Sequence, residues 1–209
     1  MITSYNQVAG RALERIAALS DGVFAIAMTL IVLEIRVPDP GPIRSEQDLL
    51  AAVATLSPRI VTYLLSFLTL GIIWSGQQTQ LSYFARADRH LSWLHLALLA
   101  SVALMPFSTS LLAEFISFRV ALLLYWLNIV VFGVILYGAW SYALHAALLR
   151  EDLPPGASHA IKRRIVVAQA LYALGALLCV VSTYASIAFI VAVQLNFAIA
   201  PRIPVLSRI

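Results

Sequence analysis

Two carboxylates lie in or at the end of the first long apolar run of the chain. Asp21 follows Ser20 near the start of this run, and Glu34 ends it beside Arg36. Ionisable side chains inside lipid are energetically expensive, so each is a candidate functional group. Glu34 can reach the membrane surface and anchor the helix there. Asp21 is either a structural acid that bonds to neighbouring helices or a proton carrier, and its residue type leaves both interpretations open.

An apolar stripe lies on the other side of the same predicted helix. At about 100° per residue, Ile26, Leu30 and Leu33 project in nearly one direction, with Thr29 at the edge of the stripe. Extended backwards, the stripe reaches Gly22, Leu19 and Arg15. Asp21 points to nearly the opposite side, where we expect neighbouring helices to bury its carboxylate. A stripe at helical spacing serves packing more often than function, so the pattern alone assigns it no role.

Other polar residues in the apolar runs are scattered. Three amides follow Trp74 at Gln77, Gln78 and Gln80, and they can join helices or cap an interface. His95 lies within another apolar run, where a lone histidine is more often a hydrogen-bonded core residue than a proton relay. The sequence contains no potassium-filter loop of the Thr-Val-Gly-Tyr-Gly type, no phosphate loop, no zinc motif and no nucleophile elbow. We therefore expect no enzyme activity, no cofactor and no resident metal.

Composition places the chain in a membrane. Hydrophobic residues make up 61% of the chain and charged residues 11%, whereas soluble domains are about 45–50% apolar and about 25% charged. The formal net charge of +4 arises from basic residues that lie between apolar blocks. Membrane topology explains this pattern better than nucleic-acid binding does. Cys179 is the only cysteine, so no intrachain disulfide can form.

The apolar runs predict an all-α membrane protein with six transmembrane helices in one unit covering residues 1–209. A span needs about 20 apolar residues, and the predicted spans are about 16–35, 59–81, 91–112, 118–144, 163–182 and 185–200. Pro106 should kink the third span. Residues 45–56 suggest a short amphipathic helix between the first two spans. The last two spans should form a tight hairpin that turns near residues 182–184.

The distribution of basic residues predicts the orientation. With six spans, one side of the membrane holds ten basic residues: Arg11, Arg15, Arg86, Arg89, Arg150, Lys162, Arg163, Arg164, Arg202 and Arg208. The other side holds four: Arg36, Arg44, Arg59 and Arg119. Because cytoplasmic loops carry the excess of Lys and Arg, both termini should be cytoplasmic.

The run from Arg15 to Ile35 resembles the first-helix signature of a known channel family. This family comprises the endolysosomal potassium channel called transmembrane protein 175 and its prokaryotic relatives. The signature is Arg, any three residues, then Phe-Ser-Asp and an apolar helix, and Arg15, Ser20 and Asp21 match it. Weaker similarity lies at Trp74, in residues 88–94 and around Pro106. The resemblance covers roughly residues 11–115.

The resemblance implies four subunits around a central pore that the first helix lines. It further implies a potassium-selective leak channel of the cell (inner) membrane, without a carbonyl filter. Potassium ions, membrane lipids and other copies of the chain are then the expected partners, and nucleic acid is not. The implied hydrophobic constriction consists of Ile26, Leu30 and Leu33, with Thr29 as a polar pore-lining residue. The implied inter-helix network consists of Arg15, Ser20, Asp21, Trp74 and His95.

The sequence departs from the family pattern at four positions. Leu19 replaces the signature phenylalanine, Gln77 and Gln78 stand where many relatives have histidine, and His95 stands where asparagine is common. A proton sensitivity that depends on those histidines is therefore not implied here. An alternative function stays open at this point, namely a proton-coupled transporter with Asp21 and His95 as relay groups.

Overall fold

The computed structural model describes residues 13–199, and regular structure in this range is helical apart from one isolated bridge between Phe84 and Leu149. The first helix, α1, covers Leu13–Leu30 and continues as a 3-10 segment over Ile31–Glu34. The next α-helices are α2 Glu46–Ala54, α3 Ser57–Tyr83, α4 Arg89–Ala103, α5 Met105–Glu114, α6 Arg119–His145, α7 Ala157–Leu177 and α8 Thr183–Ile199. The predicted all-α class is confirmed.

In the described part of the chain, five helical segments are long and apolar enough to cross a membrane. They are Leu13–Glu34, Ser57–Tyr83, Arg89–Glu114, Arg119–His145 and Ala157–Val180. Helix α8 is apolar as well, but its 17 residues are at the short end of the range for a transmembrane helix, which is about 17–25 residues. The chain is therefore a multi-pass membrane protein. A total of six spans and a single unit over residues 1–209 stay predictions.

The helix of the third predicted span is interrupted at Leu104. Helix α4 ends at Ala103, and α5 begins at Met105 with Pro106 in its first turn. Proline fits there because the first-turn N–H groups have no partner within the helix. The N–H of Leu104 bonds to the carbonyls of Ala100 and Ser101, both at 3.2 Å, which keeps the two helices close to continuous. The α-helix is thus interrupted two residues before Pro106, the residue at which a kink was predicted.

Helices α7 and α8 form a tight hairpin. A 3-10 turn over Leu178–Val180 follows α7, and α8 begins at Thr183. The two helices approach closely because Gly175 has no side chain: a Cβ atom there would lie 2.7 Å from Cγ1 of Ile190. The hydroxyl of Ser186 donates to the carbonyl of Gly175 at the same crossing. The predicted hairpin is confirmed, with its turn directly before Thr183.

Helix α6 is the central helix of the subunit. It is apolar all around, as expected of a helix that neighbours cover on several sides, and it packs against α4, α5 and α7. Tyr125, Ile129 and Phe132 of α6 are fully buried in the main core, and Trp140 belongs to a second cluster with Phe84. Helix α1 packs against α3 and α4 on one side. One face of α1 therefore stays uncovered in the subunit.

Helix α2 lies outside the core, and none of its residues is buried. Its start is fixed by a reciprocal cap in which Oγ of Ser45 accepts the N–H of Asp48, and Oδ2 of Asp48 accepts the N–H of Arg44, both at 3.1 Å. A side-chain hydrogen bond from Ser45 to the Asp48 carboxyl, followed by the bond from the N–H of Arg44, lowers the pKa of that carboxyl. The predicted short helix is therefore present, over a shorter range than residues 45–56, and its amphipathic character stays a prediction.

Candidate pore helix and its contacts

Helix α1 has one buried face and one exposed face. The buried residues recur every three or four positions and pack against α3 and α4: Ser20, Phe24, Ala27 and Ile31. The exposed face carries the predicted apolar stripe, with Ile26 60%, Leu30 44% and Leu33 67% exposed. Large apolar side chains at such exposure need lipid or another protein surface to cover them. The stripe is thus available for contact outside the subunit.

Thr29 is the polar residue of this exposed face. Its hydroxyl oxygen lies 3.0 Å from the carbonyl oxygen of Ala25 and 2.8 Å from that of Ile26. The hydroxyl proton is therefore directed back at the helix. A threonine in this arrangement keeps oxygen lone pairs free on its outer side. It can thus accept a hydrogen bond from water or contact a cation.

Ser20 fixes the first part of α1 to α3. Its hydroxyl donates to the carbonyl of Ile16 at 2.8 Å and accepts from Nε2 of Gln77 at 3.0 Å. Ser20 and Gln77 are both completely buried. A hydrogen bond between two buried polar groups in a low-dielectric surrounding is costly to break, because both partners are then left without water.

Asp21 makes the second link between α1 and α3. Its Oδ1 atom accepts from Nε1 of Trp74 at 2.8 Å and from Nε2 of Gln78 at 2.7 Å. The two donors are four residues apart on α3, so they project from the same face of that helix. The carboxylate is nevertheless exposed in the subunit. The prediction that neighbouring helices of the chain bury it is wrong, because the exposed arc of α1 is wide enough to include Asp21 at its margin.

The other two residues of the implied network lie apart from these bonds. Nδ1 of His95 is 2.9 Å from the carbonyl oxygen of Leu91 in its own helix, and the ring meets Phe84 edge-on. Arg15 is exposed, and among residues 13–199 it forms no ion pair. Of the residues in the implied network, Ser20 and Asp21 thus bond to side chains of α3. Within the described range, no hydrogen bond connects Asp21 with His95.

Arg59 holds the opposite end of α1. Its Nη1 atom donates to the carbonyl of Glu34 at 3.0 Å, and its Nη2 atom pairs with Oε2 of Glu114 at 2.6 Å. The carbonyl of Glu34 is available because the 3-10 segment ends there and leaves its last carbonyls without helical donors. Sequence reasoning missed this contact, since a backbone acceptor has no sequence signature.

A chain of buried polar side chains runs through the subunit interior, away from α1. The hydroxyl of Thr109 donates to Ser66 at 2.7 Å, and both Ser66 (3.3 Å) and Thr69 (3.0 Å) contact the hydroxyl of Tyr125. Nε2 of Gln194 then donates to Thr69 at 2.6 Å. These bonds join α3, α5, α6 and α8. Their residue types are typical of hydrogen bonds between helices in lipid, but their pairing was not visible in the sequence.

Among residues 13–199, no group of three or more His, Cys, Asp or Glu side chains is placed to hold a metal ion. Beyond the charged residues Glu14 and Arg15 in its first turn, α1 presents an apolar surface, the hydroxyl of Thr29 and the hydrogen-bonded carboxylate of Asp21. Such a surface can line a passage or pack against another helix.

Comparison with known proteins identifies the family. The apolar spans define a multi-pass membrane protein, and the family model "Endosomal/lysosomal potassium channel TMEM175" matches residues 15–106. A potassium channel of Chamaesiphon minutus is 31% identical over 189 residues, which are 88% of this chain and 93% of that protein. The chain belongs to the TMEM175 family.

Other relatives match over shorter stretches. A potassium channel of Streptomyces collinus is 44% identical over 103 residues, and the match covers 48% of its length. The human endosomal/lysosomal proton channel TMEM175 is 37% identical over 98 residues, which are 19% of its length. The chain therefore spans about half or less of these two relatives.

The fold matches a solved member of the family over nearly its whole length. The crystal structure of a lysosomal potassium-selective channel TMEM175 homologue from Chamaesiphon minutus aligns with a TM-score of 0.78 at 29% identity. The alignment covers 91% of this chain and 98% of that chain. The family assignment made from the first-helix signature is thus confirmed.

Proposed function

We propose that the protein is a potassium-selective, leak-type channel, built from four copies that surround a pore lined by α1. The observation that carries this proposal is the exposed apolar face of α1, which the subunit itself leaves uncovered although Phe24, Ala27 and Ile31 of the same helix are buried in its core. The names of the Chamaesiphon and Streptomyces relatives support potassium as the permeating ion.

The constriction in this proposal consists of Ile26, Leu30 and Leu33. An α-helix rises about 1.5 Å per residue and a 3-10 helix about 2.0 Å, so the rings of Ile26 and Leu30, and those of Leu30 and Leu33 in the 3-10 segment, lie about 6 Å apart along the pore. Rings of Ile and Leu that are narrower than a hydrated ion stay dry, and conduction requires them to widen or the ion to lose water. Thr29, between the first two rings, offers a hydroxyl oxygen in an otherwise apolar passage.

The links between α1 and α3 serve as supports in this mechanism. Bonds from Ser20 and Asp21 to α3 fix the rotation of α1, and a rotation of one residue would turn the stripe by about 100°. Asp21 is then a hydrogen-bonded support beside the pore and not a proton carrier.

With no array of carbonyl dipoles to replace the hydration shell, we expect a weaker preference for potassium over sodium than in carbonyl-lined filters.

The location follows from the charge distribution. The proposed position is the cell (inner) membrane, with both termini in the cytoplasm, because ten of the fourteen basic residues then lie on the cytoplasmic side. In this orientation, the contacts of Ser20 and Asp21 lie towards the cytoplasm, and the contact between Arg59 and Glu34 lies at the outer end of the pore.

Potassium flux from liposomes that contain the purified protein tests the proposal. We expect potassium flux that exceeds sodium flux, and a particle mass of four subunits in mild detergent. Leu30→Ala should raise the flux or reduce the preference for potassium, because the ring becomes wider and wetter. Leu177→Ala is the matched control, since Leu177 is 66% exposed but lies on α7.

A monomeric protein without potassium flux would refute the proposed function. Equal fluxes from the wild type and Leu30→Ala would remove Leu30 from the constriction.

A further inference from the structure

A cavity of about 280 Å3 lies between α3, α6 and α7, away from the exposed face of α1. Its wall is largely apolar and includes Ile73, Leu136, Ile165 and Ala168. The volume is close to the lower end of the range for small-molecule sites, which is about 300–1,000 Å3. In a membrane protein, such a cavity suits an acyl chain.

Two buried amides line this cavity with one polar atom each unused. Nε2 of Gln80 donates to the carbonyl of Leu136 and Nε2 of Gln169 donates to the carbonyl of Ile129, both at 3.1 Å. These carbonyls fix the orientation of each amide, because an amide oxygen in the same place would face another oxygen. The Oε1 atoms of both glutamines are buried without a donor from the described residues. Gln80 is only 1% exposed. A molecule in the cavity would therefore have to supply hydrogen-bond donors.

A cation lies in the wall of the cavity. Arg164 is part of the cavity wall, and its guanidinium carbon lies 6.0 Å from the centroid of the Phe197 ring. Among residues 13–199, Arg164 pairs with no carboxylate. It ends a run of three basic residues, 162–164, in the first two turns of α7. Basic pockets between transmembrane helices at a membrane surface are typical sites for anionic lipid headgroups.

We propose that this cavity binds an anionic phospholipid whose headgroup carries free hydroxyl groups, as in phosphatidylglycerol. The phosphate binds Arg164, a headgroup hydroxyl donates to Oε1 of Gln80, and an acyl chain occupies the apolar part towards Ile165 and Ala168. This assignment accounts for the cation, one of the two unused acceptors and the apolar wall with one ligand. It does not depend on ion conduction, because lipid binding and potassium flux are separate measurements.

Native mass spectrometry of the detergent-solubilised full chain tests the proposal. The protein is titrated with phosphatidylglycerol, with phosphatidic acid or with phosphatidylcholine of the same acyl chains. Phosphatidylglycerol should bind most tightly, phosphatidic acid less tightly because it lacks the headgroup hydroxyls, and phosphatidylcholine least because it has no net negative charge. Equal binding of all three lipids would overturn the proposal.

Paired variants separate this site from general attraction to the basic surface. Arg164→Gln should weaken phosphatidylglycerol binding by about fivefold, the effect of one cation near a membrane surface. Arg163→Gln removes the same charge from an exposed residue that does not line the cavity, and this variant should bind phosphatidylglycerol as tightly as the wild type does. Equal losses from both variants would show surface attraction only and would overturn the proposal.

A second pair tests the apolar part of the cavity without changing charge. Ala168→Leu places a larger side chain in the cavity wall and should reduce phosphatidylglycerol binding, whereas Ala170→Leu changes an exposed residue outside it. Both variants should keep the oligomer mass of the wild type. Wild-type binding by Ala168→Leu, with the oligomer mass unchanged, would contradict the presence of an acyl chain there.

Discussion

The two ends of α1 are held in different ways. At one end, Ser20 and Asp21 accept three hydrogen bonds from α3 side chains, and the bond between Ser20 and Gln77 is completely buried. At the other end, Arg59 reaches the carbonyl of Glu34 and an exposed carboxylate, Glu114. The first end includes a bond between two groups that lose water on folding, whereas the second depends on charges that water screens. The first end should therefore dominate the stability and orientation of α1.

The largest expected effect is that of Asp21→Ala. It leaves Nε1 of Trp74 and Nε2 of Gln78 without their acceptor, and hydrogen bonds to charged groups contribute about 1.5–3 kcal/mol each. Because Asp21 is exposed, we expect the two bonds together to contribute only about 1.5 kcal/mol to the free energy of unfolding. Thermal unfolding monitored by fluorescence, together with size-exclusion chromatography, should show a lower Tm and loss of the assembled particle.

Asp152→Ala is the control for this change, because Asp152 forms an exposed ion pair with Arg150 in the loop before α7. It should leave the Tm nearly unchanged. If both alanine variants unfolded at the same temperature as the wild type, the contacts between α1 and α3 would not be the main support of α1.

A smaller effect is expected at the other end from Arg59→Gln. The side chain of Arg59 is 27% exposed and that of Glu114 58% exposed, so the ion pair is screened by solvent. We expect a loss of about 1 kcal/mol or less, comparable to other surface ion pairs. Glu114→Gln removes the ion pair but leaves the bond from Arg59 to Glu34, so it should be milder still. A Tm loss from Arg59→Gln larger than that from Asp21→Ala would reverse the proposed order of the two ends.

The smallest effect is expected at α2, which lies outside the core and follows the end of α1 that Arg59 contacts. The pKa of Asp48 is lowered by its bonds to Ser45 and Arg44. A carboxyl whose pKa is lower in the folded state stabilises the helix above its ordinary pKa, near 4, and this stabilisation is lost as the pH falls through the lowered value. Hydrogen-exchange protection of residues 46–54 should thus be greater at pH 5 than at pH 3. In Asp48→Asn, the difference between the two pH values should disappear.

Much of the fold was predictable because lipid imposes simple rules. Apolar runs of sufficient length gave the helices, Pro106 marked the interruption of the third span, and the hairpin followed from an apolar tract too long for one helix. The stripe of Ile26, Leu30 and Leu33 was also predictable, because the helical period places these side chains on one face.

The contacts of α1 were less predictable. A helical wheel gives the angle between Asp21 and the stripe, but it does not say which neighbouring helix lies at that angle. The sequence shows Gln77 and Gln78 as amides that depart from the family pattern, but their bonds to Ser20 and Asp21 depend on the position of α3. The family resemblance suggested His95 for the same network, whereas its ring bonds to its own helix.

The central claim is that the exposed stripe of α1 lines an ion pathway, and block by cadmium ions tests it most directly. In a Cys179→Ser background, Leu30→Cys would place one thiol from each subunit around the pore, where several thiolates can bind one soft metal ion. Potassium current through the reconstituted channel should be blocked by cadmium in Leu30→Cys and unaffected in Leu177→Cys. Current that persists in Leu30→Cys, or equal block in both variants, would contradict the claim.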